Sequence, residues 1–140
     1  MREYRVVDKE TGNTIWSGMA DSPCNGTIIN AIKEFIYSEK RTNIEIREWE
    51  NNEFFNKMNT YPIYFRIISE GQTVIPKYES TLNIANVANN YICDNYEYDT
   101  EDYMIPFTVE LGIFDNEGNQ IEIIESVEFG EDDIREIARG

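Results

Sequence analysis

Three segments of this chain recur in the same order, and that recurrence constrains the fold more than any other feature. Tyr4-Arg5-Val6-Val7 reads like Phe65-Arg66-Ile67-Ile68. Gly12-Asn13-Thr14-Ile15 reads like Gly71-Gln72-Thr73-Val74, and the stretch 28–36 reads like 84–92. The offsets are 61, 59 and 56, so small changes in loop length account for them.

Each copy reads as hairpin, helix, strand. In the first, Tyr4–Val7 and Thr14–Met19 are β-rich runs around a turn at Gly12-Asn13. Ser22-Pro23 has the pattern of a helix cap followed by a first helical residue. Ile28, Ile32, Phe35 and Ile36 then form one apolar stripe at helical spacing. Residues 43–49 alternate, with Ile44 and Ile46 on one side and Glu45, Arg47 and Trp49 on the other.

In the second copy, Tyr64–Ile68 and Thr73–Tyr78 flank a turn at Glu70-Gly71. Thr81 is placed to cap a helix carrying Ile84, Val87, Ala88 and Tyr91. Phe107, Val109, Leu111 and Ile113 share one face of the closing strand, with Thr108, Glu110 and Gly112 opposite. A further strand over 120–129 follows the turn at 115–119, and 132–139 reads as a short helix with Ile134 and Ile137 inward.

The expected fold is therefore α+β. An antiparallel sheet, or two, is built from two tandem ββαβ units plus a C-terminal strand and short helix. The units span 1–50 and 63–140, with 51–62 as connector, and about 60 residues apiece is marginal for independent folding, so they should pack as one body. Phe54 and Phe55 in the connector read as packing between the units.

Charge adds a second constraint. The chain has 12 basic and 27 acidic residues, a net of −15, and no histidine. An apolar fraction of 41 % is too rich for a disordered acidic tail. The acidity opposes direct contact with nucleic acid or an anionic membrane, because each must be met by Lys and Arg. Without histidine there is no Ser-His-Asp triad, Cys-His dyad or imidazole metal ligand. No apolar run approaches the ~20 residues of a transmembrane helix, and the N-terminus opens into a strand pattern rather than a signal sequence. Cys24 and Cys93 make no disulfide framework and read as buried free thiols. These features suit an intracellular protein.

The charge is also unevenly placed. Residues 1–60 hold 10 acids and 8 bases, a net of −2; residues 61–140 hold 17 acids and 4 bases, a net of −13. From Tyr78 to Ile134 there are 15 acids and no base. Solubility alone does not require so long a stretch without Lys or Arg.

Chemistry-bearing motifs are few. Close carboxylate pairs arise by chance among 27 acids, and acid–base catalysis needs one of them desolvated. Glu125, between Ile123-Ile124 and Val127, comes nearest; a β-bulge at Ile124 or a strand end would bring it to the surface. No enzyme is expected. The turn at 115–119 places Gly118 at position 4 and Ser126 at position 12, which breaks the calcium-loop pattern. The run Asp99–Asp102 reads as a solvated acidic loop, and no glycine-rich phosphate cradle is present, so neither metal nor cofactor is expected.

One constellation remains, acids interleaved with aromatics. Tyr96, Tyr98 and Tyr103 stand among Asp94, Glu97, Asp99, Glu101 and Asp102. Glu110, Glu122, Glu128, Glu131, Asp132 and Asp133 can extend the field. Tyrosine offers a π-face to arginine while carboxylates pair with Arg and Lys. Same-face strand neighbours lie about 6.6–6.8 Å apart, close to the ~6–7 Å between successive phosphates of one DNA strand.

In charge, size and this acid–aromatic texture, the chain resembles the nucleic-acid-mimic anti-defence proteins of phages and mobile elements, of anti-CRISPR or antirestriction type. The resemblance implies a non-catalytic inhibitor in the cytoplasm of a bacterial host. Its acidic face would block the DNA- or RNA-binding groove of a basic defence nuclease, a CRISPR effector before a restriction enzyme. The alternative expectation is a phage or mobile-element interaction module that binds a protein partner through a sheet edge or helix face.

Overall fold

The structure is a computed structural model and describes residues 1–39, 42–51, 56–78, 84–95 and 105–138. The elements run β1 (Arg2–Asp8), β2 (Thr14–Ala20), α1 (Gly26–Glu39), β3 (Ile44–Asn51), β4 (Asn56–Ser69), β5 (Gln72–Tyr78), α2 (Ile84–Asn95), β6 (Phe107–Phe114), β7 (Gln120–Phe129) and α3 (Glu131–Ala138). This is an α+β fold. Its strands join in one seven-stranded sheet of order β2-β1-β3-β4-β6-β7, with β5 also paired to β4. Every pairing is antiparallel. In each half the first strand lies between the other two: β1 between β2 and β3, and β4 between β5 and β6.

The 14-residue β4 ties the halves together. Up to Pro62 it pairs with β3; from Ile63 it pairs with β6, and from Phe65 its other edge takes β5. Pro62 lacks an N–H and sits where the strand changes partners, a place where a missing ladder donor is tolerated. The segment 51–62, expected as connector, is thus largely strand: β3 continues through Asn51 and β4 starts at Asn56. Phe54 and Phe55 lie outside the described residues.

Strand alternation sorts the side chains into two faces. Tyr4, Val6, Ile44, Ile46, Ile63, Phe65, Ile67, Phe107, Val109, Leu111 and Ile113 form one face and pack with Ile28, Ile32 and Ile36 of α1, Ile84, Val87, Ala88 and Ile92 of α2, and Ile134 of α3. Each such buried aliphatic side chain contributes about 1.5–3 kcal/mol. Tyr91 is half-buried and meets the Phe107 ring edge-on at 4.6 Å. Among the described residues, no helix packs into this core from the other face of the sheet.

Local chemistry sets the element ends. Gly12, Gly71 and Gly118 take positive φ in the turns of the β1–β2, β4–β5 and β6–β7 hairpins, where a Cβ would be strained. The cap of α1 is Asn25, not Ser22: Asn25 Oδ1 accepts the Thr27 N–H at 2.9 Å. Ser22 is spent on the preceding turn, where its Oγ accepts the Cys24 N–H and its carbonyl the Asn25 N–H. Thr81 lies outside the described residues.

Candidate functional site

The acids of the second half are carried by several elements. Glu110 of β6 stands on the uncovered face, across from Arg66 of β4. Arg66 Nε donates to Glu110 Oε2 and Arg66 Nη2 to Gln120 Oε1, both at 2.7 Å. The guanidinium also lies 5.8 Å from the centre of the Phe114 ring. That ring stacks on Tyr64 at 3.9 Å, and Lys77 Nζ sits 5.2 Å from the Tyr64 ring. This cation–ring–ring–cation stack holds Arg66 over the sheet, so the charge of Glu110 is matched locally.

The acids of β7 behave differently. Leu111 pairs with Glu125 and Gly112 with Ile123, so Ile124 is the extra residue of a bulge. The bulge buries Ile124 and leaves Ile123 exposed. Glu125 is not turned to the opposite face. It stays on the helix side at the sheet margin, half-exposed, where the Tyr37 hydroxyl donates to it at 3.4 Å. Glu122 shares that side, across from Ile113. Burial pushes the Cys24 thiol above its ordinary pKa, and the Glu122 charge adds to the rise. Glu128, opposite Thr108, points to the uncovered face and is exposed.

Beyond β7 the acids continue into the first turn of α3, where the helix dipole favours them. Glu131 pairs with Arg135 at 2.9 Å. Asp133 Oδ2 accepts the Gly130 N–H at 3.0 Å, the returning half of a capping box, and Asp132 is exposed. Asp94 is exposed in the last turn of α2, an end that the dipole makes unfavourable for an acid. Tyr96, Glu97, Tyr98, Asp99, Glu101, Asp102 and Tyr103 lie outside the described residues.

The fold therefore brings Glu122, Glu128, Glu131, Asp132 and Asp133 onto consecutive elements, an acidic margin made of β7 and α3. Glu125 joins them. Glu110, on β6, is matched by Arg66 as Glu131 is by Arg135, and Asp94 belongs to another helix. The margin presents acids on both faces of the sheet's last strand, Glu122 and Glu125 on the helix side and Glu128 on the other.

One cluster was missed from the sequence. Glu48 of β3 is 1 % exposed, the most buried acid described. Its Oε2 accepts the Tyr4 hydroxyl at 2.5 Å. Its Oε1 accepts from Asn59 Nδ2 at 3.0 Å, Arg2 Nη1 at 3.1 Å and the Tyr61 hydroxyl at 3.2 Å. Arg2 Nη2 and Asn59 Nδ2 also reach Glu50, at 2.5 and 3.0 Å. Burial pushes the Glu48 carboxyl up, but these donors and the Arg2 charge outweigh it, and the net shift is downward. Burial first, then the Glu48 charge and hydrogen bond, lifts Tyr61 to about 12 and Tyr4 higher still. A carboxylate so supplied with donors is built to stay ionised, not to pass a proton. The pattern Ile44-x-Ile46-x-Glu48 already placed this acid on the apolar face.

The remaining motifs take structural roles. Asp115 closes the turn before β7: its Oδ1 accepts the Asn119 and Glu117 N–H groups at 2.9 Å, and these bonds hold its carboxyl below the usual range. Both cysteines are free thiols, but neither is buried; Cys24 is half-exposed and Cys93 is exposed. Among the described residues, no three acids or cysteines stand close enough to hold a metal ion, and no helix is long and apolar enough to cross a membrane. Comparison with known protein families, curated proteins and solved structures found no match to this chain.

Proposed function

We propose that this chain is a non-catalytic inhibitor that acts by occupancy. Its β7–α3 margin enters the basic nucleic-acid-binding groove of a bacterial defence nuclease, a CRISPR effector in preference to a restriction enzyme. The setting is the cytoplasm of a phage- or plasmid-bearing host. The observation that carries the reading is the sequence of acids along this margin. Glu122, Glu128, Asp132 and Asp133 are all exposed, in a stretch of 57 residues without one Lys or Arg. A field of one sign steers a basic partner and makes association fast and salt-sensitive. Acids on both faces of one edge strand suit insertion into a cleft better than docking on a plane.

The test is a nuclease assay with the triple variant Glu122→Lys, Glu128→Lys, Asp132→Lys. Inhibition is expected to vanish while circular dichroism remains that of the wild type. A folded triple variant that still inhibits overturns the reading. Affinity capture from host lysate at low salt finds the partner, and a basic nuclease released by added salt is the expected result.

A second reading rests on the β7 edge itself. Ile121 and Ile123 are exposed there, and no strand pairs with that edge among the described residues. An edge-pairing partner would be held mainly by main-chain hydrogen bonds and would resist salt, which separates the two readings.

A further inference from the structure

The helix side of the second half holds a cavity of about 390 Å³, lined by both α1 and α2. That volume falls within the range of about 300–1,000 Å³ common for small-molecule sites. One row of the sheet crosses it: Phe65 of β4 pairs with Leu111 of β6, and Leu111 with Glu125 of β7. Ile36 and Tyr37 of α1 and Ile84 and Ala85 of α2 complete the lining. Five of these seven side chains are apolar, so the polar pair decides what the hollow can orient.

That pair is Tyr37 and Glu125. The Tyr37 hydroxyl donates to Glu125 Oε1 at 3.4 Å, a long and therefore weak bond. Glu125 Oε2 accepts no hydrogen bond, and no Lys or Arg pairs with this carboxylate among the described residues. An apolar hollow ended by one unpaired carboxylate fits an occupant with an apolar body and a single positive charge. An anion would meet the Glu125 charge, and a neutral molecule would leave it unanswered. Neighbouring strands lie about 4.8 Å apart, so a cation on Glu125 stands one strand spacing from a body over Leu111 and two from Phe65. The hollow is larger than one Lys or Arg side chain fills, which favours a free molecule over a side chain of a protein partner.

We propose that this cavity binds a small organic cation, an amine with an apolar body. Its ammonium group donates to Glu125, and its apolar part lies over Leu111 between Ile36 and Ile84. The inference does not rest on the inhibitor function.

An NMR titration of the intact chain with phenethylamine tests this, because two methylenes separate its ring from its ammonium group. Phenethyl alcohol and phenylpropanoate, of similar shape but neutral and anionic, are the comparison ligands. The amine should give saturable shifts at the Tyr37, Ile84 and Leu111 amides. Its affinity should exceed that of the alcohol by about fivefold, the strong end of the range for a partly exposed ion pair. Phenylpropanoate should bind most weakly of the three. Glu125→Gln should remove the preference for the amine and leave the alcohol's affinity unchanged. Ala85→Phe, which fills the mouth of the cavity, should abolish binding of both with unchanged circular dichroism. Glu117→Gln removes one exposed charge from the β6–β7 turn, outside the cavity, and should alter neither affinity. The inference is overturned by the absence of saturable shifts at these amides, by equal affinity for amine and alcohol, or by a preference that survives Glu125→Gln. An equal loss in Glu117→Gln also overturns it, since it would mark general attraction to an acidic chain.

Discussion

The Tyr4 hydroxyl donates to Glu48 Oε2 at 2.5 Å, joining β1 to β3 through a buried carboxylate. Removing the acid strands several donors at once. Glu48→Ala is expected to lower stability by about 2–4 kcal/mol, because the Tyr4 and Tyr61 hydroxyls lose their acceptor in a buried site. Arg2→Ala should cost under about 1 kcal/mol, since Arg2 is half-exposed and Glu50 keeps its bond to Asn59. Urea titrations of the two variants provide the comparison, and equal losses would contradict the arrangement.

The same cluster sets a dependence on pH. Glu48 has its folded pKa lowered, so its contribution is present above the unfolded value and is lost as pH falls through the folded one. Tyr61 is raised to about 12, so its contribution is present below the ordinary value of 10.0 and is lost as pH rises toward 12. Glu48→Gln should therefore flatten both limbs of the stability curve, the acid one because the titrating carboxyl is gone and the alkaline one because the folded pKa of Tyr61 falls back toward its ordinary value. Denaturation midpoints for wild type and variant across the pH scale measure both limbs; tyrosine absorbance should show Tyr61 titrating earlier in the variant.

Gly112 bears on the uncovered face in a different way. A Cβ built there meets the Phe114 ring at 2.9 Å and the Glu122 carbonyl oxygen at 3.1 Å. Gly112→Ala is thus expected to cost about 1–3 kcal/mol by forcing Phe114 off Tyr64 or β7 away from β6. Gly26→Ala has open space around its Cβ and provides the contrast, read by thermal melting.

The start of α1 yields a paired comparison. Asn25→Ala should destabilise by about 1 kcal/mol because the Thr27 N–H loses its acceptor. Ser22→Ala, which removes only a turn bond, should cost less. A larger loss for Ser22 would return the cap to the position expected from the Ser-Pro pattern.

Periodicity made most of the fold legible. The Ile28–Ile32–Ile36 stripe, the Phe107–Ile113 alternation and the limits of β7 all stand in the sequence as they do in the structure. What escaped was governed by pairing rather than by pattern. Pro62 and a polar run disguised the first half of β4, because only the β3 edge beside it shows why a strand continues there. The buried acid was sought at Glu125, where apolar neighbours crowd the chain, and found at Glu48, where simple alternation had placed it. Its four donors come from β1 and β4, and nothing local announces them. The acidic margin was legible as composition, but its division between two faces needed the bulge at Ile124.

The shared strand β4 also bears on how the chain can be cut. A fragment ending at Asn51 would leave the β3 edge without its mate over 57–62, and the remaining fragment would carry that mate as an overhang. Severed between the two strands, the pieces are matched like a plug and socket. Two such fragments mixed together should restore the whole by strand addition rather than function apart.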